Sequence, residues 1–199
     1  MRSLPRPSRR LTPQEFYTRF APELWTALIG NTHTVGWVMR VAVELEKGQH
    51  RFGLLFSAGE LTVQDSLPDD PHLTFRSSLD SYRTAMFDLL PRVLRHLEES
   101  GTETGSELVS PLLQPKIDAL RDHPGSIEVD FLDDAGDRAS VDVLIASGDG
   151  PKTGIHATDD DLWSFLEEGA RPSRFLQSRV ELSGDIAYVI RLLHAVERG

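Results

Sequence analysis

Phe16, Phe20, Leu24 and Leu28 recur every fourth residue, the spacing of one apolar stripe along a helix. Thr12-Pro13-Gln14-Glu15 just ahead forms a capping box, with Pro at the first helical position. Pro22 interrupts the stripe as a kink or a split, and Gly30-Asn31 supplies a stop. From Met39 the period falls to two. Val41, Val43 and Leu45 alternate with Ala42, Glu44 and Glu46, as in a half-buried strand. Lys47-Gly48-Gln49-His50 turns the chain into a second strand with Phe52, Leu54 and Phe56 on one face. Ala58-Gly59-Glu60 leads to a third with Leu61 and Val63. A loop with Pro68 and Pro71 precedes a fourth, Leu73-Thr74-Phe75-Arg76, and Ser78 caps a helix from about Leu79.

Residues 100–107 are the clearest linker, built of Ser, Gly, Thr and Glu. A short helix with Leu112, Leu113, Ile117 and Leu120 follows, weakened by Pro115 and ended at His123-Pro124-Gly125. The period of two then returns. Ile127, Val129 and Phe131 alternate with Glu128 and Asp130, Asp133 to Asp137 make a hairpin turn, and Val141, Val143 and Ile145 form the return strand, which ends at Ser147-Gly148. A short strand from Thr153 to Ala157 leads to Thr158, the cap of a helix from Asp159 to Glu168 with Leu162, Trp163, Phe165 and Leu166. Gly169 ends it, and a second short helix carries Phe175 and Leu176. The strand from Arg179 to Leu182, the turn Ser183-Gly184-Asp185 and a last helix complete the chain. That helix places Ile186, Val189, Ile190, Leu193 and Val196 on one side.

The two halves match in pattern. Each has a strand, a turn, a return strand and then a proline-led strand, and Pro71 and Pro151 head similar segments eighty residues apart. The expected division is a flexible basic tail at 1–11, a helix-plus-meander half at 12–100, a linker and short helix at 101–125, and a second half at 126–199. The expected fold class is α+β, an antiparallel sheet covered by helices, with this internal repeat as one sheet or two.

Composition narrows the function classes. The chain has 199 residues, 39% of them hydrophobic and 26% charged, which fits a folded domain rather than a disordered chain. No apolar run approaches the roughly 20 residues of a spanning helix. With no cysteine, thiolate metal sites, disulfides and cysteine nucleophiles are excluded. The net charge of −10 argues against broad nucleic-acid binding. Arg2, Arg6, Arg9 and Arg10 make a basic start on an acidic body, a tail suited to transient contact with anionic lipid or a partner protein. It is not a secretory leader, since no apolar stretch follows the arginines.

Catalytic and metal motifs are missing. The seven histidines show no metal-ligand spacing, and there is no His-Glu-x-x-His. His156, on a strand near the Trp163 helix, is the one placed to touch a ligand head group. Asp133-Asp134 reads as turn chemistry and Asp159-Asp160-Asp161 as a helix start, since neither has the alternating spacing of a calcium loop. There is no nucleophile elbow, no phosphate loop and no dinucleotide fingerprint, and no Ser/His/Asp set stands out. No cofactor and no metal site is expected.

Three pieces carry a family resemblance. They are the helix–Gly–helix unit from Leu162 to Phe175, the run Arg179-Val180-Glu181-Leu182-Ser183-Gly184-Asp185 before an apolar terminal helix, and the upstream Gly59-Glu60-Leu61-Thr62-Val63 and Asp70-Pro71-His72-Leu73-Thr74-Phe75. With them the chain resembles the sterol carrier protein type 2 family, either as one enlarged domain or as a tandem pair with an altered first copy. Ser178 stands near a place where that family usually has glycine. The resemblance implies an apolar tunnel between sheet and helices that takes sterols, fatty acids or fatty acyl-CoA, in a soluble cytoplasmic lipid carrier with no catalytic residue. It assigns the tunnel wall to Trp163, Phe165, Leu166, Phe175, Leu176, Ile186, Val189, Ile190 and Leu193. Periodicity alone marks these as buried, whether they wall a tunnel or fill a core. The alternative is an accessory protein with a filled core that docks a partner. The carrier fold also occurs beside acetyltransferases, but the acetyl-CoA loop of those enzymes is absent here.

Overall fold

The computed structural model describes residues 4–29, 37–57, 60–99, 114–132, 136, 138–158, 161 and 180–198. Their strands form one sheet. β1 (Val38–Leu45), β2 (His50–Ser57), β3 (Glu60–Gln64) and β4 (Leu73–Ser77) come from the first half. β5 (Gly125–Leu132), β6 (Arg138–Ile145), β7 (Lys152–Thr158) and β8 (Glu181–Gly184) come from the second. The order across the sheet is β3-β2-β1-β4-β6-β5-β7-β8.

The antiparallel expectation needs correction: the sheet is mixed. β1 and β4 run parallel, as do β5 and β7, and the remaining neighbours are antiparallel. After each hairpin the chain crosses over and returns on the far side of the strand that opened the hairpin. Crossing over lays the returning strand parallel beside that opening strand, where a simple meander would pair it antiparallel with the strand just before it. The halves share this scheme in register. Val43 pairs with Phe52 on one side and Phe75 on the other, and Val129 pairs likewise with Val141 and Ile155. An antiparallel β4–β6 junction fuses the halves into a single sheet.

Four helical units are present among the described residues. α1 runs as Pro13–Glu15, a π-turn Phe16–Phe20 and Ala21–Ile29. Thr12 and Glu15 form the expected capping box. Pro22 neither splits nor ends it. The Ala21 N–H reaches back to the Phe16 carbonyl, so the widened turn absorbs the missing proline donor. α2 repeats the device, as Leu79–Arg83, a π-turn Thr84–Leu89 and Leu90–Glu99, with Ser78 as cap. Leu90 N–H reaches the Ala85 carbonyl just before Pro91. α3 is Gln114–Ala119 with a tighter turn Leu120–Asp122, and α4 is Ile186–Arg198.

Helices cover one face of the sheet. Over the first half, Phe16, Tyr17, Phe20 and Leu24 of α1 and Tyr82, Phe87 and Leu94 of α2 bury Val41, Val43, Leu45, Phe52 and Leu54. Rings meet edge to face, as Phe16 does with Tyr82 at 5.7 Å. Residues 4–11, expected as a flexible tail, lie along α2. Leu4 N–H donates to Glu98, and Arg6 and Arg9 pair with Glu98 and Asp88. The linker at 100–107 lies outside the described residues. No helix among the described residues is long and apolar enough to cross a membrane.

Candidate functional site

The helix-facing side of the second half is packed in bands. One band joins Phe131, Ala139 and Ala157 to Ala85 and Leu89 of α2. Another joins Ile145 to Tyr188 and Leu192 of α4. Strand register places Val129, Val141, Val143 and Ile155 between them, and all four stay half-buried. Val43 and Phe52, the counterparts of Val129 and Val141, are 4% and 3% exposed, whereas Phe75, the counterpart of Ile155, is half-buried as Ile155 is. An apolar floor therefore lies under α2 and α4 that the described helices fill less completely than its twin.

α4 is capped as expected. Asp185 Oδ1 accepts the Tyr188 N–H at 3.0 Å, and Gly184 takes a φ of +76°, which suits glycine. The helix is rotated from the expected face. Tyr188, Val189 and Leu192 are buried, Leu193 is half-buried, and Ile186 and Ile190 are exposed at 42% and 45%. The Tyr188 hydroxyl anchors this rotation by donating to the His123 carbonyl at 3.0 Å, and the burial that follows pushes its pKa up to about 12. Of the nine expected wall residues, the structure therefore buries Val189, leaves Leu193 half-buried and turns Ile186 and Ile190 outward. Trp163, Phe165, Leu166, Phe175 and Leu176 lie outside the described residues. The Thr158 cap is present, with Asp161 Oδ2 accepting the Thr158 N–H and hydroxyl at 2.8 and 2.7 Å.

The opposite face of the sheet is polar. Arg51, Glu44, Arg76, Asp142, Glu128, Gly154 and Ser183 form one row across β2, β1, β4, β6, β5, β7 and β8. A trough of about 580 Å³ lies over Ser126, Glu128, Asp142, Lys152, Gly154 and Ser183. In the next row, Asp130 is buried. Arg138 donates to its Oδ2 at 2.7 Å, and His156 Nδ1 lies 3.1 Å from the same oxygen. Burial alone would raise the Asp130 pKa, but hydrogen bonds from Arg138 and Ser140 and the nearby positive charge hold it below the usual carboxylate range. A cavity of about 480 Å³ beside it is lined by Leu132, His156, Asp161 and Glu181 among others. Among the described residues no group of three or more His, Asp or Glu is arranged to hold a metal.

No family model and no curated protein matches the chain. Among solved structures, a double mutant of the sec-alkyl sulfatase PisA1 matches 47% of this chain at 22% identity, with a TM-score of 0.33. The chain spans 14% of that protein's length. A likeness of that size carries no argument about function.

Proposed function

We propose that the chain binds a hydrophobic ligand of the sterol, fatty-acid or fatty acyl-CoA class between the second half of its sheet and the covering helices. The observation that carries this reading is the unequal burial of matched positions. Val129 and Val141 stay half-buried where Val43 and Phe52 are sealed by aromatic rings. Apolar burial contributes about 25 cal/mol per Å², so a long acyl chain on this floor is held without any covalent step. Val189 and Leu193 would close the floor from α4, and the sterol carrier resemblance assigns Trp163, Phe165, Leu166, Phe175 and Leu176 to the rest of the wall.

Native mass spectrometry of the purified protein, followed by organic extraction, tests the reading. The expected result is one lipid per chain and uptake of a fluorescent fatty-acid analogue. Val129→Trp fills the floor and should weaken uptake at least about tenfold. A ligand-free protein that also refuses fatty acids and sterols would overturn it. That outcome would favour the accessory-protein reading, which has the aromatic filling of the first-half core on its side.

A further inference from the structure

The polar face brings together three side chains from β5, β7 and β8 that are far apart in sequence. Asp130 is 93% buried and tied to Arg138, so its carboxylate is held in place. Its Oδ2 engages His156 Nδ1 at 3.1 Å. That contact orients the ring and leaves Nε2 on its far side, the arrangement a general-base imidazole needs. Nε2 points along β7 toward Gly154, whose direct partner on β8 is Ser183. A methyl group on Gly154 would sit 3.5 Å from His156 Nε2 and 2.3 Å from Ser183 Oγ. The imidazole and the hydroxyl therefore converge over the one residue in the row that has no side chain.

We propose that Ser183, His156 and Asp130 form a nucleophilic site that hydrolyses acyl esters on the open face of the sheet. Ser183 Oγ attacks the ester carbonyl carbon while His156 Nε2 takes the hydroxyl proton. The carbon–oxygen bond to the alcohol breaks, and the alcohol leaves with that proton. Water then attacks the acyl-serine with His156 again as base, releasing the carboxylic acid and restoring Ser183. Asp130 is a positioning residue, since it acts through the imidazole. Lys152, in the same trough as Ser183, supplies positive charge for the oxyanion. The trough is lined by Ser126, Glu128 and Asp142, which fits an ester with a hydroxyl- or amine-bearing alcohol rather than a purely apolar one. Nucleophile–base hydrogen bonds commonly tighten only once substrate is bound.

The site lies on the face opposite the apolar floor, so its test is independent of lipid binding. The full chain is treated with a fluorophosphonate probe and mapped by peptide mass spectrometry, and p-nitrophenyl acetate hydrolysis is followed in parallel. The expected result is a phosphonate on Ser183 that disappears in Ser183→Ala. Ester turnover should fall at least about a hundredfold in Ser183→Ala and in His156→Gln. Asp130→Asn should lower kcat and leave KM in place. Ser183 is exposed, so Ser183→Ala keeps the fold and the test stands even if Asp130→Asn unfolds. An unlabelled Ser183 in folded protein, labelling only elsewhere, or wild-type turnover in Ser183→Ala would each overturn the proposal.

Discussion

His72 ties three strands together. Its Nδ1 accepts the Arg40 N–H at 3.0 Å, its own N–H donates to the Arg40 carbonyl at 2.8 Å, and its carbonyl accepts the Ala146 N–H at 3.0 Å. Burial first, and the Arg40 charge second, hold the imidazole pKa below its ordinary value, against weaker opposing pulls from the Arg40 backbone hydrogen bond, Asp118 and Asp70. The folded protein thus keeps His72 neutral where the unfolded chain, titrating near 6.5, takes a proton. Stability from this residue is whole above pH about 6.5 and is lost as pH falls through that value toward the folded pKa. Urea unfolding at pH 8.0 and 5.5 should show a loss of stability on acidification that shrinks in His72→Asn; an equal loss in both proteins would contradict the assignment. None of this was visible in sequence. There His72 is one letter in a proline-led strand, and periodicity does not separate a buried histidine from an exposed one.

At the level of single elements, local signals worked where the chemistry is local. Thr12, Ser78, Thr158 and Asp185 were all readable as caps, because a cap needs only a short polar side chain and the backbone next to it. Asp185→Ala should cost about 1 kcal/mol and fray the start of α4, seen as faster amide exchange at Tyr188; unchanged exchange there would remove the cap from the account. The rotation of α4 was not readable. Its apolar residues run too widely round the helix, from Ile186 through Tyr188 to Leu193, for periodicity to pick a centre. A tertiary hydrogen bond from Tyr188 decided it. Pro22 shows the same limit, and α2 widens in the same way just before Pro91. The sequence marks an interruption, but whether a helix breaks or widens depends on what is packed around it, and here both helices widen and continue.

Across the whole molecule, the β4–β6 junction makes the halves share one sheet, so they should unfold together. Urea curves from tryptophan fluorescence and from far-UV circular dichroism should coincide at one midpoint; two separated midpoints would show that the halves are independent. The repeat was legible because Val43 and Val129 each sit in the same alternating pattern. The parallel pairings were not, since strands of five and seven residues, as in β4 and β7, do not record which neighbour they will join. The convergence of Asp130, His156 and Ser183 was hidden for a related reason. Each lies on a polar position that alternation marks only as facing away from the core, and pairing across three strands brings them together. The unequal filling of the two halves bears on how this chain can change over generations. Substitutions at Val41, Val43 or Phe52 strike sealed packing and should be purged, whereas those at Val129 or Val141 fall on positions that the described helices leave half-buried. One copy of the repeat thus anchors the fold while its twin is where substitutions can accumulate.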